Sequence, residues 1–184
     1  MTRTIIFLSG MGVPNFLSKS KYVWDDKLWK DYQKIYIKSD IPMSDKMVSF
    51  QLKKLTSFIN KFSNCIVTGQ SLGGWWAANL ACEPECQIKK MVLLTPLIDA
   101  NKYSIFNVSK LYNPMNRKPN DRLIGPHKSL VLSANDDLIV PPAEHSAPII
   151  QHFNATSYAL KGGHFWQSNH AAALDYTKDW IELD

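Results

Sequence analysis

Short, continuously apolar runs alternate along the chain with longer segments in which apolar residues recur every three or four positions. Thr4-Ile5-Ile6-Phe7-Leu8 stops at Ser9-Gly10 and predicts a first strand. Asp26 to Gln33 predicts a short helix, and Ile35-Tyr36-Ile37 a second strand. Ser44 is placed to cap a helix whose stripe is Val48, Leu52, Leu55, Ile59 and Phe62, so that helix is expected to reach about Phe62. Cys65-Ile66-Val67-Thr68 is a third strand that runs straight into Gly69-Gln70-Ser71-Leu72-Gly73-Gly74, with a helix through Ala81 behind it. Further strands are expected at Met91 to Leu94, Leu130 to Leu132 and Ser157 to Leu160. A last helix begins near Ser168, with Leu174, Thr177 and Ile181 on one face and Trp180 beside them. Between Pro141 and Phe153 the pattern is helical but contains Pro148, which predicts a kink or two short pieces. Asp99 to His127 carries no clear period and is rich in Asn and Pro.

Strands that read as unbroken apolar runs are buried on both faces. Their alternation with helices predicts a parallel sheet covered on both sides. With 184 residues, 45% of them hydrophobic, the chain is expected to form one domain, 1–184, around one core. The apolar run at the N-terminus is too short for a secretory leader, and no later run is long enough to span a bilayer. The formal charge of +5 is spread over scattered lysines without a dense basic run or a nucleic-acid motif. Neither nucleic acid nor membrane is therefore an expected partner. Three cysteines give no disulfide framework, and Cys82 and Cys86 are too far apart for a CxxC pair. They are expected to be plain thiols in a reducing cytoplasm, with no metal and no cofactor.

Four short segments carry candidate chemistry. A serine hydroxyl needs a base to take its proton and must stand clear of the backbone. Gly69-Gln70-Ser71-Leu72-Gly73, with a strand before and a helix after, fits a tight turn that presents Ser71. The Leu72 N–H at the head of that helix is a candidate oxyanion donor. Ser9-Gly10-Met11-Gly12 ends the first strand, and its glycines permit close approach of the Met11 N–H as a second donor. Asn135-Asp136-Asp137-Leu138-Ile139-Val140-Pro141 follows the fifth strand, where either aspartate is placed to serve as an acid or as a turn residue. Of the five histidines, only His164, in Gly162-Gly163-His164, combines a strand end with flanking glycines and lies beyond both other groups.

Taken together, these segments resemble the α/β-hydrolase superfamily, and the likeness runs from Ile5 to about Ile181. Gly69 to Gly74 resembles its nucleophile elbow. Asp137 to Pro141 resembles its acid loop, in which the acid stands three residues before Val and four before Pro; this selects Asp137 over Asp136. Gly163-His164 resembles its histidine loop, and Ser9 to Gly12 its His-Gly-x-Gly oxyanion segment with serine in place of histidine. The resemblance implies an α/β-hydrolase fold of about six mainly parallel strands in the order 2-1-3-4-5-6, with helices on both faces. The two N-terminal antiparallel strands common in the superfamily are absent, and the cap is reduced to Asp99–His127. In size the chain is similar to small serine hydrolases of the retinoblastoma-binding-protein type. It is also similar to trimmed bacterial carboxylesterases, including those that cleave the methyl ester of a pimeloyl acyl-carrier-protein thioester.

The expected activity is therefore hydrolysis of small or slender acyl esters through an acyl-serine, with Ser71 as nucleophile, His164 as base and Asp137 orienting the base. Met11 and Leu72 would hold the oxyanion. Val13, Phe16 and Leu17, together with the Asp99–His127 stretch, would line the acyl pocket; Trp75 and Trp76 could face it too, but core packing is the favoured reading for at least one of them. The partner is a small-molecule acyl ester. An acyl group on an acidic carrier protein is the alternative, and a catalytically idle binding module on the same scaffold is the rival reading from another class.

Overall fold

The computed structural model describes residues 3–10, 29–99, 102–103, 107–164 and 169–183. Six strands form one sheet: β1 (Arg3–Leu8), β2 (Tyr32–Ile37), β3 (Cys65–Gln70), β4 (Ile88–Leu94), β5 (Ser129–Ala134) and β6 (Thr156–Leu160). Their spatial order is β2-β1-β3-β4-β5-β6, and all five pairings are parallel. Order and orientation are those implied by the resemblance. The helices are α1 (Asp45–Ile59), α2 (Leu72–Leu80), α3 (Pro142–Phe153) and α4 (His170–Glu182).

The apolar runs of β1, β3, β4 and β5 are continuous because each of these strands feeds two cores. Ile6 and Leu8 point to one face, with Val67, Met91, Leu93 and Val131, and there meet Val48, Leu52 and Ile59 of α1, Trp75 and Leu80 of α2, and Ile149 and Phe153 of α3. Ile5 and Phe7 point to the other, with Ile66, Val92, Leu94, Leu130 and Leu132, and meet Ala173, Leu174, Trp180 and Ile181 of α4. Successive strand residues face opposite sides, so a helix layer on each side makes almost every strand position apolar.

Three local expectations are revised. Tyr32 and Gln33 belong to β2, not to a helix, because they pair with Arg3 and Thr4 of β1. A turn closed by the Tyr32 N–H to the Trp29 carbonyl precedes them, and the earlier part of the expected helix lies outside the described residues. Helix α1 starts where expected, with the Ser44 hydroxyl accepting from the Met47 N–H at 3.3 Å, but stops at Ile59. The stop has a cause in Asn60, whose side chain bonds the Glu85 carbonyl and the Gln87 N–H. The next two residues then form tighter bonds, Lys61 N–H to the Phe58 carbonyl and Phe62 N–H to the Ile59 carbonyl. Helix α3 is one helix through Pro148 rather than two pieces. Proline there removes only the bond to the Glu144 carbonyl, and burial of His145, Ile149 and Phe153 at four-residue spacing holds the helix together.

Lys90 is a charged residue in the core-facing pattern. It is 4% exposed on β4, on the same face as Val92 and Leu94. Its Nζ donates to the Trp180 carbonyl at 3.3 Å, to the Ile181 carbonyl at 2.9 Å and to the Leu183 carbonyl, and it lies 5.1 Å from the Trp180 ring centre. A cation thus satisfies the end of α4, where carbonyls lack intrahelical donors and the helix dipole is negative. The cysteines are buried free thiols, and burial pushes Cys65 and Cys82 up to about 12 and Cys86 up to about 11. They are protonated at neutral pH and chemically quiet. Among the described residues no helix is long and apolar enough to cross a membrane.

Replacing Lys90 with Met keeps the apolar stem and removes the donor. Lys90→Met is expected to cost about 2 kcal/mol, read as a fall of roughly 4–8 °C in melting temperature. An unchanged melting temperature would show that water satisfies these carbonyls equally well.

Candidate active site

Ser71 joins β3 to α2 with φ 52 and ψ −118. A non-glycine residue at positive φ costs roughly 1–3 kcal/mol and persists only where its surroundings enforce it. The enforcement is visible in the glycines. A Cβ built on Gly69 would lie 2.2 Å from the Gly73 carbonyl oxygen, and one on Gly73 only 2.0 Å from the Leu8 carbonyl oxygen. The turn therefore folds back onto itself and simultaneously presses against the end of β1. The Ser71 N–H donates to the Leu94 carbonyl at 3.0 Å, and its own carbonyl accepts from Gly74, Trp75 and Leu97 N–H groups. The serine backbone is held from β4 as well as from α2.

The candidate acid and base, Asp137 and His164, follow the ends of β5 and β6. His164 Nδ1 stands 2.7 Å from Asp137 Oδ2, with His164 7% and Asp137 3% exposed. The other carboxylate oxygen, Oδ1, accepts from the Ile139 N–H at 2.9 Å and the Val140 N–H at 2.8 Å. This explains why three positions separate the acid from Val140: the loop curls over its own carboxylate. A buried carboxylate with its oxygens occupied in this way is fixed in rotamer and tolerated in charge. With Nδ1 directed at the carboxylate, Nε2 is the imidazole nitrogen placed to act as a base.

Asp136, Thr95 and His145 make contacts around the site that the sequence pattern does not signal. Asp136 bonds other groups than Asp137 does. Its Oδ1 accepts from the Gly162 and Gly163 N–H groups, each at 2.9 Å, and those two bonds hold its carboxyl below the usual carboxylate range. Thr95, at the end of β4, has φ 39, a strained value for a β-branched residue. Its hydroxyl and the Gln70 amide each make a long 3.4 Å bond to the His164 carbonyl. His145 is 1% exposed, and its Nδ1 accepts from the Ile98 and Asp99 N–H groups at 3.2 and 3.3 Å. No spacing in the sequence signals these contacts, because each joins residues brought together only by the parallel sheet.

The remaining expected residues fare differently. Leu72 heads α2, where the first N–H groups have no intrahelical acceptor. Met11, Val13, Phe16 and Leu17 lie outside the described residues. Trp75 does not line an open pocket: it is fully buried in the core, edge-on to Trp76 with ring centres 5.0 Å apart. Trp76 is also buried, and its indole N–H donates to the Asp40 carbonyl at 2.9 Å.

The stretch expected to wall the pocket does so at most near its start. There the Tyr103 hydroxyl donates to the Ile139 carbonyl at 2.8 Å, and Lys102 pairs with Glu144 at 2.5 Å. From Pro114 on it descends to the other end of α2, where Arg117 bonds Asn79 and Glu83, and Asn120 bonds the carbonyls of Ala81, Glu83, Pro84 and Cys86. A nine-residue helix is roughly 13 Å long, so this part is a brace for the helix and not a cover for Ser71. Among the described residues no cluster of His, Cys, Asp and Glu could hold a metal ion.

His145 gives this region a pH dependence. Burial first, and the Lys102 charge second, keep it below its ordinary 6.5, against the opposing pull of Glu144, Asp99 and Asp137. The unfolded chain therefore binds more protons in the window just below pH 6.5, and stability rises with pH there. Stability is complete above pH 6.5 and falls as the pH drops from 6.5 towards the folded value. Melting temperatures between pH 8 and pH 5 should decline more steeply in the native protein than in His145→Gln, which keeps an acceptor without the titration. Equal slopes would assign the acid sensitivity to other groups.

No protein-family model matches the sequence, and no curated protein matches it. Solved structures match its fold over almost the whole chain. One is a lipase-esterase related protein from Clostridium acetobutylicum, 18% identical, covering 98% of this chain and 95% of that one with a TM-score of 0.66. Another is an enzyme from the metagenome of lagoon sediments at Mar Chica, Morocco, 17% identical, covering 98% and 91% with a TM-score of 0.67 and described as an alpha/beta hydrolase. A third is a thermophilic esterase from Thermogutta terrifontis, solved with propionate bound, 11% identical, covering 97% and 82% with a TM-score of 0.68. A further structure from that organism is of an esterase 2 phosphoramylated by tabun.

Proposed function

We propose, from the α/β-hydrolase fold that this chain shares with those structures, that it is a serine hydrolase that cleaves small or slender carboxylic esters. The observation that carries this reading is the buried 2.7 Å His164–Asp137 pair just past β5 and β6, in the same parallel sheet whose β3 ends at a serine held at φ 52. A serine in that conformation, one residue after Gln70, whose amide reaches the His164 carbonyl at 3.4 Å, is suited to attack on an acyl carbon with help from that imidazole. In this reading His164 takes the Ser71 proton as the hydroxyl oxygen bonds the carbonyl carbon, and returns it to the departing alcohol. A water activated by the same imidazole then releases the acid. Asp137 holds the imidazole in the right tautomer and stabilises its charged form. The Leu72 N–H, aided by the positive end of α2, and the Met11 N–H stabilise the oxyanion.

The likeness to an esterase solved with propionate, and to one modified by an organophosphorus agent, supports this class of chemistry. The position of Pro114 to Leu123 at the far end of α2 supports a site without a multi-helix lid. The formal charge of +5 favours, as a second reading, an acyl group delivered on an acidic carrier protein. In that case kcat/KM falls as salt rises, since exposed charges are screened over about 8–10 Å.

The test is turnover of a chain-length series of nitrophenyl esters. Short esters are expected to be hydrolysed without a jump in rate at the micelle threshold. Ser71→Ala should cut kcat by several orders of magnitude, and Asp137→Asn by about 10⁴ with the fold intact. Undiminished turnover in Ser71→Ala would remove the acyl-serine reading, and a rate that rises only above the micelle threshold would replace the open site by a lidded one.

A further inference from the structure

We propose that Asp136 is a positioning residue for the base: its carboxylate extends the β5–β6 ladder beyond the strand ends and fixes the loop from which His164 reaches Asp137. The inference rests on reading His164 as the base.

The last backbone bond between the two strands' ends runs from the Asn135 N–H to the Leu160 carbonyl at 2.8 Å. One residue further on, the backbone of the acid loop turns away so that Asp137 can face inward. Asp136 Oδ1 then takes over as acceptor for the Gly162 and Gly163 N–H groups, both at 2.9 Å. Gly163 has φ 62, a left-handed turn that reverses the chain immediately before His164. The two N–H groups converge on one oxygen, which is the geometry of an anion held by successive amides. Charge assistance strengthens both bonds over neutral ones.

His164 is consequently anchored on three sides. Asp136 holds the loop before it, Gln70 and Thr95 hold its carbonyl, and Asp137 holds its ring. The second of these is the weakest, with both bonds at 3.4 Å. Asp136 therefore makes shorter bonds to the backbone next to His164 than Gln70 and Thr95 do, while the Asn169 amide holds the start of the loop at the Lys161 carbonyl, 2.7 Å away. Adjacent aspartates divide the work: Asp137 orients the ring and Asp136 the chain that bears it. Because the Asp136 side chain is exposed, water can satisfy the two amides after its removal. Loss of the carboxylate then loosens the loop without unfolding the protein.

A misplacement of about 1 Å can cost on the order of 100-fold in rate. Asp136→Ala is expected to lower kcat for a short nitrophenyl ester by about 10- to 100-fold, with KM within about twofold and the melting temperature within a few degrees. Asp136→Asn retains an oxygen at the same place and should restore most of the loss. A readout independent of turnover is the downfield proton NMR signal of the His164–Asp137 hydrogen bond. It should be sharp in the native protein and in Asp136→Asn, and broadened or lost in Asp136→Ala. Native kcat and an unchanged signal in Asp136→Ala would overturn the proposal, as would an asparagine variant as impaired as the alanine one. A native protein that turns over no ester, but whose signal depends on Asp136 as described, would sustain the positioning role and defeat the hydrolase reading instead.

Discussion

The Leu8 carbonyl oxygen and the Gly73 α-carbon sit so close that no side chain fits between them. A Cβ there would lie 2.0 Å from the oxygen, well inside any van der Waals contact. This approach ties the end of β1 to the first turn of α2 and leaves Ser71, between β3 and α2, at φ 52. The strain is maintained by the packing on either side: β1 pairs in register with β3, and α2 buries every residue from Leu72 to Leu80. Trp75 contributes as a core anchor, and truncating a buried aromatic of this kind typically costs about 3–5 kcal/mol. The packed sheet and helix thus act on the candidate nucleophile through this backbone contact and through the bonds that Ser71 makes to Leu94 and Leu97.

The same sheet gives two buried histidines different characters. His164 has an anionic partner, and its ring is 2.7 Å from the Asp137 carboxylate. His145 accepts two backbone N–H groups at Nδ1, and its Nε2 has no hydrogen-bond partner among the described residues. Accepting at Nδ1 is open only to a neutral ring, so burial and bonding both favour the uncharged form. His145 thereby holds Ile98 and Asp99 just after the Thr95 strand end, while Tyr103, near its ring, bonds the acid loop through the Ile139 carbonyl. One histidine is the base of the proposed hydrolase, and the other supports the backbone.

Much of this was legible in the sequence where a local pattern has a local cause. Gly69-Gln70-Ser71-Leu72-Gly73 between an apolar run and a helix defines a turn whose glycines are demanded by close contact. The spacing of Asp137 to Val140 follows from a carboxylate that bonds the N–H groups two and three residues ahead. The sheet order was available only from the resemblance as a whole. What was not legible depends on neighbours distant in sequence. Tyr32 reads as the end of a helix until β1 pairs with it. Asp136 reads as a turn residue or rival acid until β6 brings Gly162 and Gly163 alongside. The Asn- and Pro-rich stretch after Asp99 reads as a pocket wall, and only tertiary bonds from Arg117 and Asn120 place its part from Pro114 on at the other end of α2.

In the proposed hydrolase, the folded His164–Asp137 pair makes Ser71 nucleophilic. Mass spectrometric mapping after exposure to a fluorophosphonate tests this directly. One adduct is expected, on the peptide that contains Ser71, formed by the folded protein and abolished by denaturation and by His164→Ala. An adduct on Ser9 or Ser133, or undiminished labelling of Ser71 in His164→Ala, would contradict it.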